Sequence, residues 1–422
     1  MRIRPPINGI GTGLPGDKGR ISRRFPNSGP LVVLVITLLI QAMAVAAVMA
    51  PTIIAPVLTL AFRLPDSAIG IYISLTYFGA IFSALYSGAL IKKWGAIRVS
   101  QIGLLLCGSG LFLVSTGVVW LGAMGAVLAG LGYGPITPAS SDILIRTTPA
   151  HRLSIVFSIK QTGVPLGGAF AGLLVPPQEI AFGWTWALIS ISVACVIMSL
   201  VAQCVRRELD SEPRVGPSQS FIAAIVNPIR MVLTHRNLLI LTLCSFVFCG
   251  VQFSVFTFLP TYLNRYMGWT LLAAGVGVSV TQMAGMGGRL MWGVLADHGF
   301  GARRTMALIS ALIALSCLSI ALFSSNVPRV WVFAVLIMLG ASAAGWNGVF
   351  LAEVARLAPK GQAGAATGGT LAFTYFGVVF WPPLFGIAAQ AMGSYQISYL
   401  AYCLPLLVCL VLLIRGVRPS ST

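Results

Sequence analysis

Two basic side chains stand where hydrocarbon is expected. Lys160 lies in FSIKQTGVPLGG (157–168), and Arg289 lies in GGRLMWGVLAD (287–297), each inside a long apolar run. A charge at such depth is costly unless it has a partner or a job. Lys160 is about seven residues into its run, ~10 Å deep at the helical rise, and Arg289 is roughly 6 Å from the following loop. Both groups bind anions, and the planar fork of a guanidinium fits a carboxylate particularly well. The plainer alternative is that each side chain snorkels to the surface, or that Lys160 pairs with Asp142 near the end of the neighbouring run. Gln161 and Thr162 add hydrogen-bonding groups beside Lys160. Gln41, Gln252, Asn347 and Tyr375, with Thr137, Ser140 and Gln282, are further polar groups in apolar runs, able to line a cavity or to glue helices together. The acids fall in loops or near the ends of runs. A cavity holding two cations and no central acid attracts an anion and repels a cation.

The elements that position these groups follow from composition. The chain has 422 residues, of which 57% are hydrophobic and only 9% charged. A soluble domain averages roughly 25% charged. Apolar runs recur near 31–60, 67–90, 98–118, 121–145, 153–175, 183–205, 237–262, 269–293, 304–325, 328–353, 362–387 and 394–415. Each can cross a ~30 Å hydrocarbon core as a helix. The expected fold is therefore an all-α polytopic membrane protein with twelve transmembrane helices. The organisation expected is an N-terminal tail (1–30), a first half (31–205), a polar linker (206–236) holding Pro213, Pro217 and Pro228, a second half (237–415) and a short tail (416–422).

Net charge is +18, which in a soluble protein would suggest nucleic acid. Here the basic residues sit in short connections, so no nucleic-acid partner is expected. Of 27 Lys and Arg, 22 fall on the side of the termini, three (Arg63, Arg265, Arg329) on the opposite side and two inside runs. By the positive-inside rule both termini are cytoplasmic, in a bacterial inner membrane. A basic stretch ahead of an apolar run with Ala44-Val45-Ala46 also has the form of a cleaved leader. That reading is set aside because cleavage would leave an odd number of crossings. The eight Cys lie in or beside apolar runs and the three His are scattered, so no metal site or disulfide framework is expected. There is no Gly-rich nucleotide loop and no cofactor is implied.

The halves echo each other. GALIKKWGAIR after the second run (Gly88, Leu90, Lys92, Gly95) is matched by GVLADHGFGARR after the eighth (Gly293, Leu295, Asp297, Arg303). Arg146-x-x-Pro149 is matched by Arg356-x-x-Pro359, each preceded by an acid, Asp142 or Glu353. Repeated halves around a central linker are a transporter architecture, with the site between halves near midplane. With these motifs the chain resembles the major facilitator superfamily. The loop after the second run is similar to that family's G-x-L-A-D-R-x-G-R-[KR] signature. The second copy matches better, and the first carries Lys92 in place of the Asp. TGVPLGG is similar to the family's Gly-Pro-rich antiporter motif, with its spacing shifted by a residue. Arg289 within R-x-x-x-G-x-L-A resembles the arrangement of monocarboxylate and oxalate-type members, where the matching arginine holds the substrate carboxylate.

The resemblance implies a secondary transporter that rocks one half against the other. The function expected is transport of a small organic anion, a monocarboxylate, with Lys160 and Arg289 as its principal ligands and proton symport or anion exchange as the drive. Asp142 and Glu353 are the candidate proton carriers, or else partners of nearby arginines. A drug/proton antiporter of the same fold is the alternative, disfavoured by the lack of an embedded acid in the first run. A non-transporting membrane sensor is a remote one. Membrane lipid is the expected surrounding, and a monomer the expected state. Gly130, Gly132, Gly134, Gly163, Gly167, Gly168 and the GMGG of 285–288 read as sliding contacts between helices. Pro135, Pro138 and Pro165 are expected to bend their helices.

Overall fold

Proline and glycine decide how the crossings are built. The computed structural model describes residues 29–148, 153–210, 221–359 and 363–415, and no strand occurs among them. The first crossing is α1 (Pro30–Ile53) followed by α2 (Ala55–Ala61). The break falls where Pro56 has no N–H to return to the Thr52 carbonyl, which takes Ile54 N–H instead. Next come α3 (Ala68–Trp94) and α4 (Ala96–Ser115). The fourth crossing divides into α5 (Val119–Tyr133) and α6 (Ile136–Thr147) at Gly134-Pro135. The fifth divides into α7 (Leu153–Gln161) and α8 (Gly163–Phe182) ahead of Pro165. The bends expected at Pro135 and Pro165 are present, while Pro138 lies in the first turn of α6, where no break falls. α9 (Trp184–Leu209) closes the first half.

The second half holds α11 (Arg236–Thr261), α12 (Leu271–Leu295), α13 (Ala302–Leu322), α14 (Arg329–Ala343), α15 (Asn347–Leu357), α16 (Ala363–Met392), α17 (Tyr395–Ala401) and α18 (Cys403–Arg415). Between the halves lies α10 (Phe221–Thr234), which packs on α11 and α16. The linker is thus not only a polar connection. Both tails, residues 211–220 and Pro149 lie outside the described residues.

Among the described residues eleven helices are long and apolar enough to cross a membrane. The α7–α8 crossing completes the twelve. Its apolar character is diluted by four glycines, three prolines, Gln178 and Glu179 in α8. Of the eight cysteines, six are buried, Cys403 is half-buried and Cys204 is exposed.

The halves meet along two seams, α8 against α12 and α3 against α16, with α1 and α11 also in contact. A Cβ on Gly275 would strike the Gly172 carbonyl and the Pro176 ring, so α8 and α12 approach at backbone distance. Of the glycines expected to slide, Gly168 faces the other half, against Gln282. Gly130, Gly132 and Gly134 instead face α3 and α4, Gly163 and Gly167 face α1, and Gly285 and Gly288 face the end of α14. A Cβ on Gly287 would meet nothing. Most of these small residues therefore tighten each half internally.

Candidate functional site

Lys160 is buried completely, at 0% exposure, near the end of α7. It does not snorkel. Its Nζ donates to Gln41 Oε1 of α1 at 3.1 Å, and Thr137 Oγ1 of α6 donates to the same oxygen at 3.0 Å. The Gln41 Nε2 group is buried with no hydrogen-bond partner. A buried ammonium and an amide N–H₂ with donors to spare, and one neutral oxygen between them, leave the cluster short of acceptors. The Asp142 alternative does not occur: that carboxylate pairs with Arg146 at 3.0 Å, one turn along α6.

Arg289 projects from α12 to the junction of the halves. Its Nε donates to the Ala344 carbonyl at 2.9 Å, in the break between α14 and α15. Its Nη1 donates to the Gln161 carbonyl at 2.6 Å, at the break between α7 and α8. Gln161 therefore contributes through its backbone, and it adjoins Lys160 in sequence.

A small cavity lies between the halves, with room for about one water. Arg289, Gln252 and Gln282 give it polarity, Tyr77 and Tyr133 give it hydroxyls, and Val48, Phe253 and Phe256 are among its apolar walls. Lys160 stands behind this wall in the present state, not on it. Among the described residues no carboxylate lines the cavity. Gln252 is also tied by its Oε1 to the Trp346 indole N–H at 3.0 Å. Tyr375 lies against Tyr77, with ring centroids 5.8 Å apart, and Tyr77 against Phe253 at 4.6 Å. Asn347 is half-buried at the start of α15 and is not on the wall. The reading of residues missed Tyr77 and Tyr133, whose only sequence signal is a phenol within an apolar run.

The face opposite the termini is closed by contacts across the halves. Arg265 pairs with Asp66 at 3.2 Å and donates to the Pro56 carbonyl at 3.0 Å. Tyr395 Oη donates to Asp66 at 2.9 Å, and Ser67 Oγ to Gln390 Oε1 at 2.7 Å. On the terminal face Asp142 pairs with Arg146 inside the first half. Glu353 meets Arg303 at 3.5 Å and Arg356 at 3.8 Å, and Arg356 meets Asp297 at 3.2 Å.

The repeated turns are built alike but tied differently. Gly95 and Gly301 both hold left-handed φ, 96° and 84°, at the starts of α4 and α13. In the second half Asp297 supplies the acid. In the first half Lys92 occupies that place and is exposed, and the acid comes from the end of α9. Asp210 accepts from the backbone N–H groups of Ile97 at 3.1 Å and Arg98 at 3.0 Å, capping α4. Leu90 and Leu295 pack on the core, while a Cβ on Gly88 or Gly293 would meet nothing.

Two six-helix halves, pseudo-symmetric and closed around a central site, define a polytopic membrane carrier. Residues 34–375 match the family model of the Major Facilitator Superfamily, and the chain belongs to that superfamily. The gentisate transporter of Corynebacterium glutamicum is 24% identical over 348 residues, covering 77% of this chain and 74% of its own. Human monocarboxylate transporter 11 is 27% identical over 331 residues, covering 74% of this chain and 67% of its own. The crystal structure of the nucleoside transporter NupG superposes with a TM-score of 0.77 at 14% identity, over 92% of this chain and 100% of that one. This last likeness is one of fold.

Proposed function

We propose that this chain is a secondary transporter of a small organic anion, a monocarboxylate, working by alternating access in a bacterial inner membrane with both termini cytoplasmic. One observation carries the reading: a guanidinium on the wall between the halves, a fully buried ammonium one residue from the carbonyl that guanidinium holds, and no carboxylate on that wall among the described residues. The carboxylate of the substrate would be held by the Arg289 fork and draw on the spare donors of Lys160 and Gln41. Its apolar body would lie against Val48, Phe253 and Phe256. The gentisate and monocarboxylate relatives support an anionic cargo.

Asp142 and Glu353 are each engaged by arginines of their own half. Carrying a proton on either would require breaking an ion pair, whereas anion exchange needs no such step. Exchange is therefore the favoured drive.

Thermal unfolding in detergent tests the reading, with pyruvate, benzoate and gentisate set against tetraphenylphosphonium and ethidium. A ligand at 100 times its Kd stabilises the native state by ~2.7 kcal/mol. A carboxylate is expected to raise the midpoint of the wild type and not of Lys160→Met. Stabilisation by the cations alone would instead make the protein a drug carrier.

A further inference from the structure

The Gln161 carbonyl is available to Arg289 for a reason written four residues further on. In a continuous helix that oxygen would accept from the N–H of residue 165, but residue 165 is proline and has none. The chain bends at Thr162, and the orphan oxygen is taken by Arg289 Nη1 at 2.6 Å. The second carbonyl held by Arg289 has a similar origin. Ala344 lies in the break between α14 and α15, and no backbone N–H reaches its oxygen among the described residues. One side chain therefore satisfies two acceptors that helix breaks have released, one in each half. Buried polar groups of this kind are costly when unmet, so the arrangement holds the halves together.

From this geometry we infer that Pro165 is a positioning residue: it keeps the Gln161 carbonyl open as a stand-in for the substrate, so that Arg289 clasps the two halves while the site is empty and exchanges that carbonyl for the incoming carboxylate. The identity of the displacing ligand rests on the function proposed above; the clasp itself does not. The exchange swaps one oxygen acceptor for another at the same donor, so the empty carrier keeps a contact between its halves that substrate can replace. Substrate then loosens the contact with α7 as it binds.

Pro165→Ala and Pro165→Gly both restore an N–H that can close on the Gln161 carbonyl, with different side-chain and backbone consequences. Two measurements apply to the full chain in detergent: the Kd for gentisate or benzoate, and hydrogen exchange of peptides covering 157–168 and α12 without ligand. Freed of its internal competitor, Arg289 is expected to bind the probe about tenfold more tightly in both variants, the scale of one charge-assisted hydrogen bond. Exchange in α12 should rise in both variants and fall back when the probe is added. Wild-type Kd and wild-type exchange in both variants would overturn the clasp. A wild type that binds none of the carboxylates would overturn the anion reading instead, and the ligand-free exchange would still decide for or against the clasp.

Discussion

Lys160 is the residue on which the chemistry turns. Its ammonium is wholly buried, and among the described residues it donates to one neutral amide oxygen. Burying a charge without a counter-charge lowers stability, and the site retains it nonetheless. Lys160→Met is accordingly expected to raise the ligand-free unfolding midpoint, by an amount equivalent to about 1–4 kcal/mol, while abolishing the response to carboxylates. A lower midpoint in scanning calorimetry would make the lysine a structural strut. Lys160 and Arg289 were legible in the sequence because a charge in an apolar run is rare. Tyr77 and Tyr133 were not, since a phenol in such a run is equally at home as packing. Nor was the part played by Gln161, because the functional atom belongs to the backbone and only Pro165 hints at it. Asn347, another polar residue in an apolar run, stands at the start of α15 and is not among the residues lining the cavity.

At the scale of elements, apolar length set the crossings, and Pro135 and Pro165 set two of their breaks, so these could be read along the chain, whereas the α14–α15 break at 344–346 has no proline to announce it. The glycines could not be assigned, because their type gives no direction. Gly275 and Gly172 bring α8 and α12 to backbone distance, yet neither belongs to a recognisable motif. Gly275→Ala is expected to force these helices apart, costing about 1–3 kcal/mol in unfolding free energy. Gly88→Ala and Gly293→Ala add a methyl where nothing stands, so their unfolding should stay within about 1 kcal/mol of wild type. A Gly275→Ala protein as stable as Gly88→Ala would refute the close seam. The helix α10 escaped the reading because Pro213 and Pro217 ahead of it and Pro228 within it gave its segment the look of a linker.

For the whole molecule the question is which face is shut. The contacts of Asp66 with Arg265 and Tyr395 join loops and helix ends from opposite halves, and no local pattern in the sequence announces such pairing. Toward the terminal face the Asp142–Arg146 and Glu353–Arg303 ion pairs lie within each half, and Arg289 makes the contact across the halves. Asp66→Asn should therefore shift the population toward opening on the face away from the termini. Faster hydrogen exchange in the α2–α3 connection and at the start of α17 would report it, and unchanged exchange would show that the pair does not hold the gate. The most direct test of the central claim, an anion carried between Lys160 and Arg289, is counterflow of labelled gentisate or benzoate in proteoliposomes. The account predicts saturable carboxylate counterflow in wild type and its loss in both Lys160→Met and Arg289→Gln. Undiminished counterflow in either variant, or wild-type flux of a lipophilic cation in place of the carboxylates, would contradict it.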